Sequence, residues 1–297
     1  MRRARFTILG FDGPFVLKCL GALLVAAFAI WAVATIAGGG NGSASKPDST
    51  AADADDHTIP SGSAHGMPNY NQFDWDYLSR DEHGRFVYSS EEGATSKFGI
   101  DVCDHNGKID WESVREDGVD FAILRIGARG TTEGGIMADE DFRGYFEGAR
   151  AAGILTGVYF YSQAVSEEEA REEARYVIDT LAGETLDYPV AYDLERTAQR
   201  STRADGIGGE QATACARAFC QAVADAGYTP MVYANSFDLE RYDVDALYDY
   251  PLWYASYNEL PFDYPPSGFA IWQYSSKGEL DGIEGQIDLN IQILPEG

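Results

Sequence analysis

The chain has 297 residues, 45% of them hydrophobic and 13% aromatic; that composition excludes a disordered protein and leaves room for a short N-terminal region and one domain of about 200 residues with a substantial core. A formal net charge of −26 excludes nucleic acid as a partner and an electrostatic grip on anionic polymers, because both rest on Lys and Arg neutralising phosphates or carboxylates. Any anionic substrate must be held by shape and hydrogen bonds.

Arg2, Arg3 and Arg5 precede an apolar segment over 15–37, interrupted only by Lys18. At 1.5 Å per residue it is long enough to cross a hydrocarbon core of roughly 30 Å. The basic flank keeps residues 1–14 cytoplasmic, so the expectation is a single-pass anchor in a bacterial plasma membrane with the rest of the chain outside. A cleaved signal peptide is the alternative, with Ala32-Val33-Ala34 as a small-residue cleavage site, although a signal's apolar region usually runs about 7–15 residues. Residues 38–69 are Gly, Ser, Ala, Asp and Pro with almost no large apolar side chain, a linker that cannot bury enough surface to fold. Phe73-Asp-Trp-Asp-Tyr77 and Arg85-Phe-Val-Tyr88 alternate apolar with polar around Asp81-Glu82-His83-Gly84. They predict a small β-hairpin extension over 70–97.

From residue 98 onward short apolar runs alternate with helical patterns. The runs at 98–102, 121–126, 156–161, 190–194, 229–233, 252–255 and 269–273 predict strands, and 139–152, 166–181 and 209–226 predict helices. Ser166 with Glu169 forms a capping box, and Gly153 and Gly227 stand where helix C-caps belong. Strands alternating with helices imply a largely parallel sheet, and this many units over 98–297 imply an α/β fold of (β/α) barrel type. The cysteines give no disulfide framework. Cys19 lies in the apolar segment, Cys103 stands alone, and Cys215 and Cys220 are five apart in a predicted helix, about 140° around it and about 7.5 Å along it, too far for an easy bridge.

In a parallel barrel, chemistry collects at the C-terminal strand ends. There the sequence places Asp101, Asp104 and His105, then Arg125, then Tyr161, Ser162 and Gln163, then Asp193 and Glu195, then Asn235, then Gln273 and Tyr274, with Asp288 and Asn290 in the closing segment. The most telling stretch is Tyr188-Pro-Val-Ala-Tyr-Asp193-Leu-Glu195. Side chains alternate along a strand, so the two acids point the same way with Cα atoms about 7 Å apart. Burial beside a like charge raises the pKa of one, as glycoside hydrolysis requires of its acid and its ionised partner. The plain alternative is two solvated acids at a strand end. Amides and aromatics around acids suit a sugar polymer, and Arg125, Tyr161, Gln163, Asn235, Gln273 and Tyr274 are the candidate substrate contacts. Of two neighbouring aromatics, Trp272 is expected in the core and Tyr274 in the groove. Arg125 can equally pair with one of the acids. Asp110 and Trp111 are expected to cap and pack the first helix. Nothing has His or Cys spacing for zinc, so neither metal nor cofactor is expected.

In order along the chain, Phe98-Gly-Ile-Asp101-Val, Gly107-Lys-Ile-Asp110-Trp111, Phe121-Ala-Ile-Leu-Arg125-Ile-Gly127, Gly157-Val-Tyr-Phe-Tyr161-Ser-Gln163, Pro189-Val-Ala-Tyr-Asp193-Leu-Glu195, Tyr228-Thr-Pro-Met-Val-Tyr233, Trp272-Gln-Tyr274-Ser-Ser and Gly282-Ile-Glu-Gly285-Gln-Ile-Asp288-Leu-Asn290 resemble the family 25 glycoside hydrolases, the Chalaropsis-type lysozymes. The resemblance implies an irregular TIM-like barrel with fewer helices than strands. It implies muramidase activity on the β-1,4 bond between N-acetylmuramic acid and N-acetylglucosamine, with peptidoglycan glycan strands as the partner of a monomeric enzyme. Glu195 matches the family's general acid, Asp193 its partner, and Asp101 and Asp288 the other acids of the groove. Departures are mild: Cys103 stands where Ser is common and Asn106 where Gln is common. The resemblance suggests a substrate-assisted route, while the spacing of the acids fits either a retaining separation of about 5–5.5 Å or a longer inverting one. Two alternatives follow from the same residues, a wall-binding module without activity and a hydrolase of another amino-sugar polymer. None of the four acids is missing, and the earlier acids of a chitinase run are absent.

Overall fold

The computed structural model describes residues 73–196, 201–258, 260 and 268–294. The expected anchor and linker lie outside them, and no described helix is long and apolar enough to cross a membrane. In chain order the elements are β1 (Leu78–Arg80), β2 (Phe86–Tyr88), β3 (Thr95–Val102), α1 (Trp111–Glu116), β4 (Phe121–Arg129), β5 (Ile136–Ala138), α2 (Phe142–Ala151), β6 (Leu155–Tyr161) and α3 (Glu167–Leu181). There follow β7 (Val190–Asp193), α4 (Gly209–Asp225), β8 (Pro230–Asn235), α5 (Ser236–Leu239), β9 (Leu252–Ala255), β10 (Ile271–Gly278) and β11 (Ile287–Leu294).

Eight strands close a barrel in the order β3-β4-β6-β7-β8-β9-β10-β11 and back to β3, with β5 appended to β4. Neighbours from β3 through β10 pair in parallel, whereas β11 is antiparallel to both β10 and β3. Only an antiparallel pair can be joined without a crossover element, so the short link from β10 to β11 dispenses with a final helix. The irregular barrel with fewer helices than strands is thereby observed.

Alternation along each strand sorts side chains to two faces. Phe121, Ile123, Ala191, Met231, Tyr233, Trp253, Ala255 and Ile271 fill the interior, while Ala122, Leu124 and Ile126 join the layer packed under the helices. Deep inside, the Phe121 and Tyr188 rings stack at 4.4 Å and 8°. A Cβ on Gly99 would lie 2.2 Å from the Phe121 ring, so this strand position admits only glycine. The helix-end signals hold in outline: Ser166 Oγ accepts from the Glu169 amide at 3.3 Å, although the Glu169 carboxylate takes the Val165 amide at 2.9 Å and not that of Ser166, so the capping box is half formed, and Gly153 and Gly227 have φ of 76° and 89°. Asp110 caps α1 through the Ser113 amide, and Trp111 is buried. Cys103, Cys215 and Cys220 are free thiols.

The upstream hairpin takes the place of the missing helix. Phe86 of β2 stacks on Trp272 at 5.0 Å and meets Tyr274 edge-on at 4.9 Å. Trp75 meets Trp272 edge-on at 6.4 Å. Arg85 ties this layer to the end of α1 through Asp117 at 2.6 Å. Three expectations are corrected here. The first hairpin strand is 78–80, because Trp75–Tyr77 forms a 3-10 turn capped by Asp74, and the alternation there serves packing on the barrel. Tyr274 is not a groove residue: it follows the inward Gln273, so it faces outward and is buried beneath Phe86. The first barrel strand also begins at Thr95, ahead of the expected 98, since Thr95 to Lys97 pair with Leu294 to Gln292.

Phe86→Ala is expected to destabilise the fold by about 3 kcal/mol, because it uncovers Trp272 and Tyr274. Val87→Ala, at the exposed neighbouring position, should change it by less than about 0.5 kcal/mol; thermal unfolding of the two variants checks the contrast.

Candidate active site

The barrel register brings the sequence's acids to one mouth. Asp101 and Asp288 are direct partners across β3 and β11, Tyr161 lies beside Asp193, and Asp193 lies beside Tyr233. Gln273 is paired with both Ala255 and Asn290. Glu195 follows two residues after β7 and shares the inward face with Asp193.

Asp101 is 7% exposed, and its Oδ2 accepts from Gln273 Nε2 at 2.9 Å and Asn290 Nδ2 at 2.8 Å. Burial pushes its carboxyl up to about 6, with the two amides and Asp288 holding it below what burial alone would give. Asp288 is raised well above the ordinary carboxylate range by burial and by the Asp101 charge, and the two carboxyls share a hydrogen bond. Asp193 is 5% exposed, and its Oδ1 has no hydrogen-bond partner within the protein. Burial, then Glu195 and Asp238, raise its carboxyl well above the usual range. Glu195 is half-buried; burial and then the Asp238 charge push it up to about 7, against the pull of hydrogen bonds from Tyr233 and Asn235. The Tyr257 hydroxyl donates to Gln273 Oε1 at 2.9 Å, and the Tyr233 hydroxyl, shared with Glu195, lies 3.2 Å from the same oxygen. One amide therefore links the Asp101 side of the mouth to the Glu195 side.

Arg125 reaches the mouth on β4, yet its guanidinium is committed to Asp139 at 2.8 Å and Asp104 at 2.5 Å. Its pairing role is the one observed. Gln163 is 0% exposed; it follows the end of β6 and packs against the 201–206 segment, its Oε1 accepting from the Ala204 amide at 3.4 Å. It is thus closed off from a groove, a correction that follows from Arg203 drawing that segment over it through the Gln163 carbonyl and Glu169. Asn235 lies at the mouth, holding Asp238 on one side and Glu195 on the other. Cys103, Asp104 and His105 bring donor atoms within 4.8 Å of one another. They suit a metal poorly, because Asp104 already holds Arg125 and burial pushes the Cys103 thiol up to about 11, keeping the proton that ligation must remove.

Sequence reasoning missed Asp238 and Tyr257. Asn235 followed three residues later by Asp238 is a helix-start signal that marks the first, since Asn235 Oδ1 caps the Asp238 amide at 2.9 Å. Tyr257, two residues beyond β9, is half exposed and carried no local signal.

The family model for glycosyl hydrolases family 25 matches residues 100–283. The chain belongs to this family. Among curated relatives it is 28% identical over 192 residues to the autolytic lysozyme of Clostridium acetobutylicum, covering 65% of this chain and 54% of that one. It is 37% identical over 123 residues to the lysozyme of Streptococcus phage Cp-7, covering 37% of this chain and 33% of the phage enzyme. The chain thus spans about half, 54%, of the length of the first of these relatives. Among solved structures, the spore cortex lytic enzyme SleM of Clostridium perfringens aligns with a TM-score of 0.57 at 25% identity, over 66% of this chain and 67% of that one. The modular autolysin LytC of Streptococcus pneumoniae, solved with a synthetic peptidoglycan ligand, shares the fold with a TM-score of 0.59 at 24% identity, over 72% of this chain and 51% of that one. Asp288 and Asn290 of this family 25 chain lie just past the matched span, yet β11 seats both against Asp101.

Arg125→Gln should cost about 3 kcal/mol of stability by leaving the buried Asp139 without its cation. A melting temperature equal to that of the parent protein would contradict the pairing role.

Proposed function

We propose that this chain is a peptidoglycan hydrolase, a muramidase cleaving the β-1,4 bond between N-acetylmuramic acid and N-acetylglucosamine in bacterial cell-wall remodelling. The observation that carries the reading is the Asp193–Glu195 pair at the barrel mouth, with Glu195 keeping its proton to about 7 beside an Asp193 whose Oδ1 has no partner within the protein. Family membership and relatives named as lysozymes support the substrate class.

In this reading Glu195 protonates the glycosidic oxygen as the bond to C1 breaks through an oxocarbenium-like state. Asp193 Oδ1 takes the N–H of the substrate's acetamido group and orients its carbonyl oxygen toward C1, where it acts as internal nucleophile; water then opens the resulting ring with Glu195 returned as base. Asp101, ionised and steadied by Gln273, Asn290 and Asp288, supplies negative charge near the developing cation. Tyr161 and Tyr257 wall the groove, where half-exposed rings offer apolar faces to a sugar. Residues 15–37, as anchor or cleaved signal, would deliver this domain to the wall side of the membrane.

Glu195→Gln should lower turnover by about 10²–10⁴ with an unchanged melting temperature, read as new muramic acid reducing ends on purified peptidoglycan. Near-parental activity would remove Glu195 from the acid role, and a folded parent that makes no new ends would point to a binding module.

The pH dependence of kcat/KM provides a second check. The active form needs Asp101 ionised and Glu195 protonated, so activity is lost as pH falls through about 6 and as it rises through about 7. A bell with its maximum between those values is expected, and a profile still rising above pH 8 would contradict it.

A further inference from the structure

A buried carboxylate outside the four acids of the motif stands behind the catalytic segment. Asp238, on α5, is 1% exposed. Its Oδ1 accepts from the Arg196 backbone N–H at 3.2 Å and from Arg196 Nε at 3.0 Å, and its Oδ2 accepts from Asn235 Nδ2 at 2.8 Å. Its own amide donates to Asn235 Oδ1 at 2.9 Å. Arg196 is the residue after Glu195; its guanidinium lies 3.5 Å over the Phe237 ring and donates to the Phe237 carbonyl.

We propose that Asp238 is a positioning residue for the acid, gripping the Glu195 segment through the Arg196 peptide and orienting the Asn235 amide so that its N–H side faces the Glu195 carboxyl. The inference rests on Glu195 being the general acid. An amide has a donor end and an acceptor end. Asp238 engages both, taking a hydrogen bond from Nδ2 and giving one to Oδ1, so the remaining Nδ2 hydrogen has one orientation and reaches Glu195. The negative charge of Asp238 also favours the protonated form of Glu195, which the donor role requires.

Glu195 faces charged and titratable groups from every side of the mouth. They are Asp193 on β7, Tyr233 on β8, Asp238 on α5, Asp101 on β3, Asp288 on β11 and Tyr257 after β9, with Arg125 on β4 acting on Asp193. Among the acids, Asp238 stands apart in being held by cations, Arg196 at 3.0 Å and Arg241 at 3.8 Å.

The test compares Asp238→Asn and Asn235→Ser in the full chain, by kcat/KM against pH on purified peptidoglycan and by thermal unfolding. Asp238→Asn removes the charge and sets an amide N–H against Asn235 Nδ2. Its kcat should fall about tenfold or more through misplacement of the acid, and its alkaline midpoint should move to lower pH by about one unit. Asn235→Ser keeps a capping oxygen for α5 and removes the donor to Glu195, so its alkaline midpoint should move to higher pH. Opposite displacements support the proposal. Alkaline midpoints that stay at the parental value in folded variants overturn it, even where Glu195→Gln is inactive; if Asp238→Asn does not fold, the direction found for Asn235→Ser decides. An active Glu195→Gln would instead remove the reading on which the inference rests.

Discussion

Proton sharing among buried carboxyls is the constraint on which the rest of the site depends. Asp101, Asp193, Glu195 and Asp288 converge on one barrel mouth, and each is raised by burial before any neighbour acts. Packing a like charge beside a desolvated carboxylate is costly, so the cluster retains protons at a pH where isolated acids would be ionised. The cations at hand are spent elsewhere: Arg125 on Asp104 and Asp139, and Arg196 on Asp238. What remains is a groove whose acids differ in state because their hydrogen bonds differ. Asp101 receives two amides and ionises more readily, whereas Asp193 has an oxygen with no partner at all.

Closure of the barrel is what brings those acids together. The antiparallel β11 places Asp288 opposite Asp101 and lets Asn290 reach Asp101 from one side and Trp253 Nε1 at 2.7 Å from the other. A final parallel strand would have required a crossover helix, and that helix would have covered the outer face of β10. The hairpin does so instead, with Phe86 and Trp75 laid on Trp272. Site and hairpin are two consequences of one departure from regular (β/α) alternation.

Stability and chemistry use separate polar networks. Arg129 and Glu173 pair at 2.7 Å on the outer side of the sheet, and Glu173 accepts from Ser162 Oγ, also at 2.7 Å. The Ser162 amide in turn donates to the Asp193 carbonyl at 2.6 Å. The backbone of β7 is thus held from behind, while Asp193 Oδ1 is left without a partner in front.

Local chemistry made much of this protein legible in the sequence. Apolar runs marked the parallel strands, Ser166, Gly153 and Gly227 marked helix ends, and period-two alternation placed Asp193 and Glu195 on one face, because each of these signals is decided within a few residues. The closing strand, the outward turn of Tyr274, the enclosure of Gln163 and the commitment of Arg125 were not legible, because each depends on partners far away in the chain. Tyr274 meets Phe86, Gln163 meets Ala204, and Asp101 meets Asn290 across 189 positions. The sequence by itself singled out Asp101, Asp193, Glu195 and Asp288 as candidate acids and put Asp193 and Glu195 on one face of their strand, because alternation is a local property. Only the tertiary structure decided which acid keeps a proton, since that is set by desolvation and by charges, such as Asp238, that chain closure alone brings within reach.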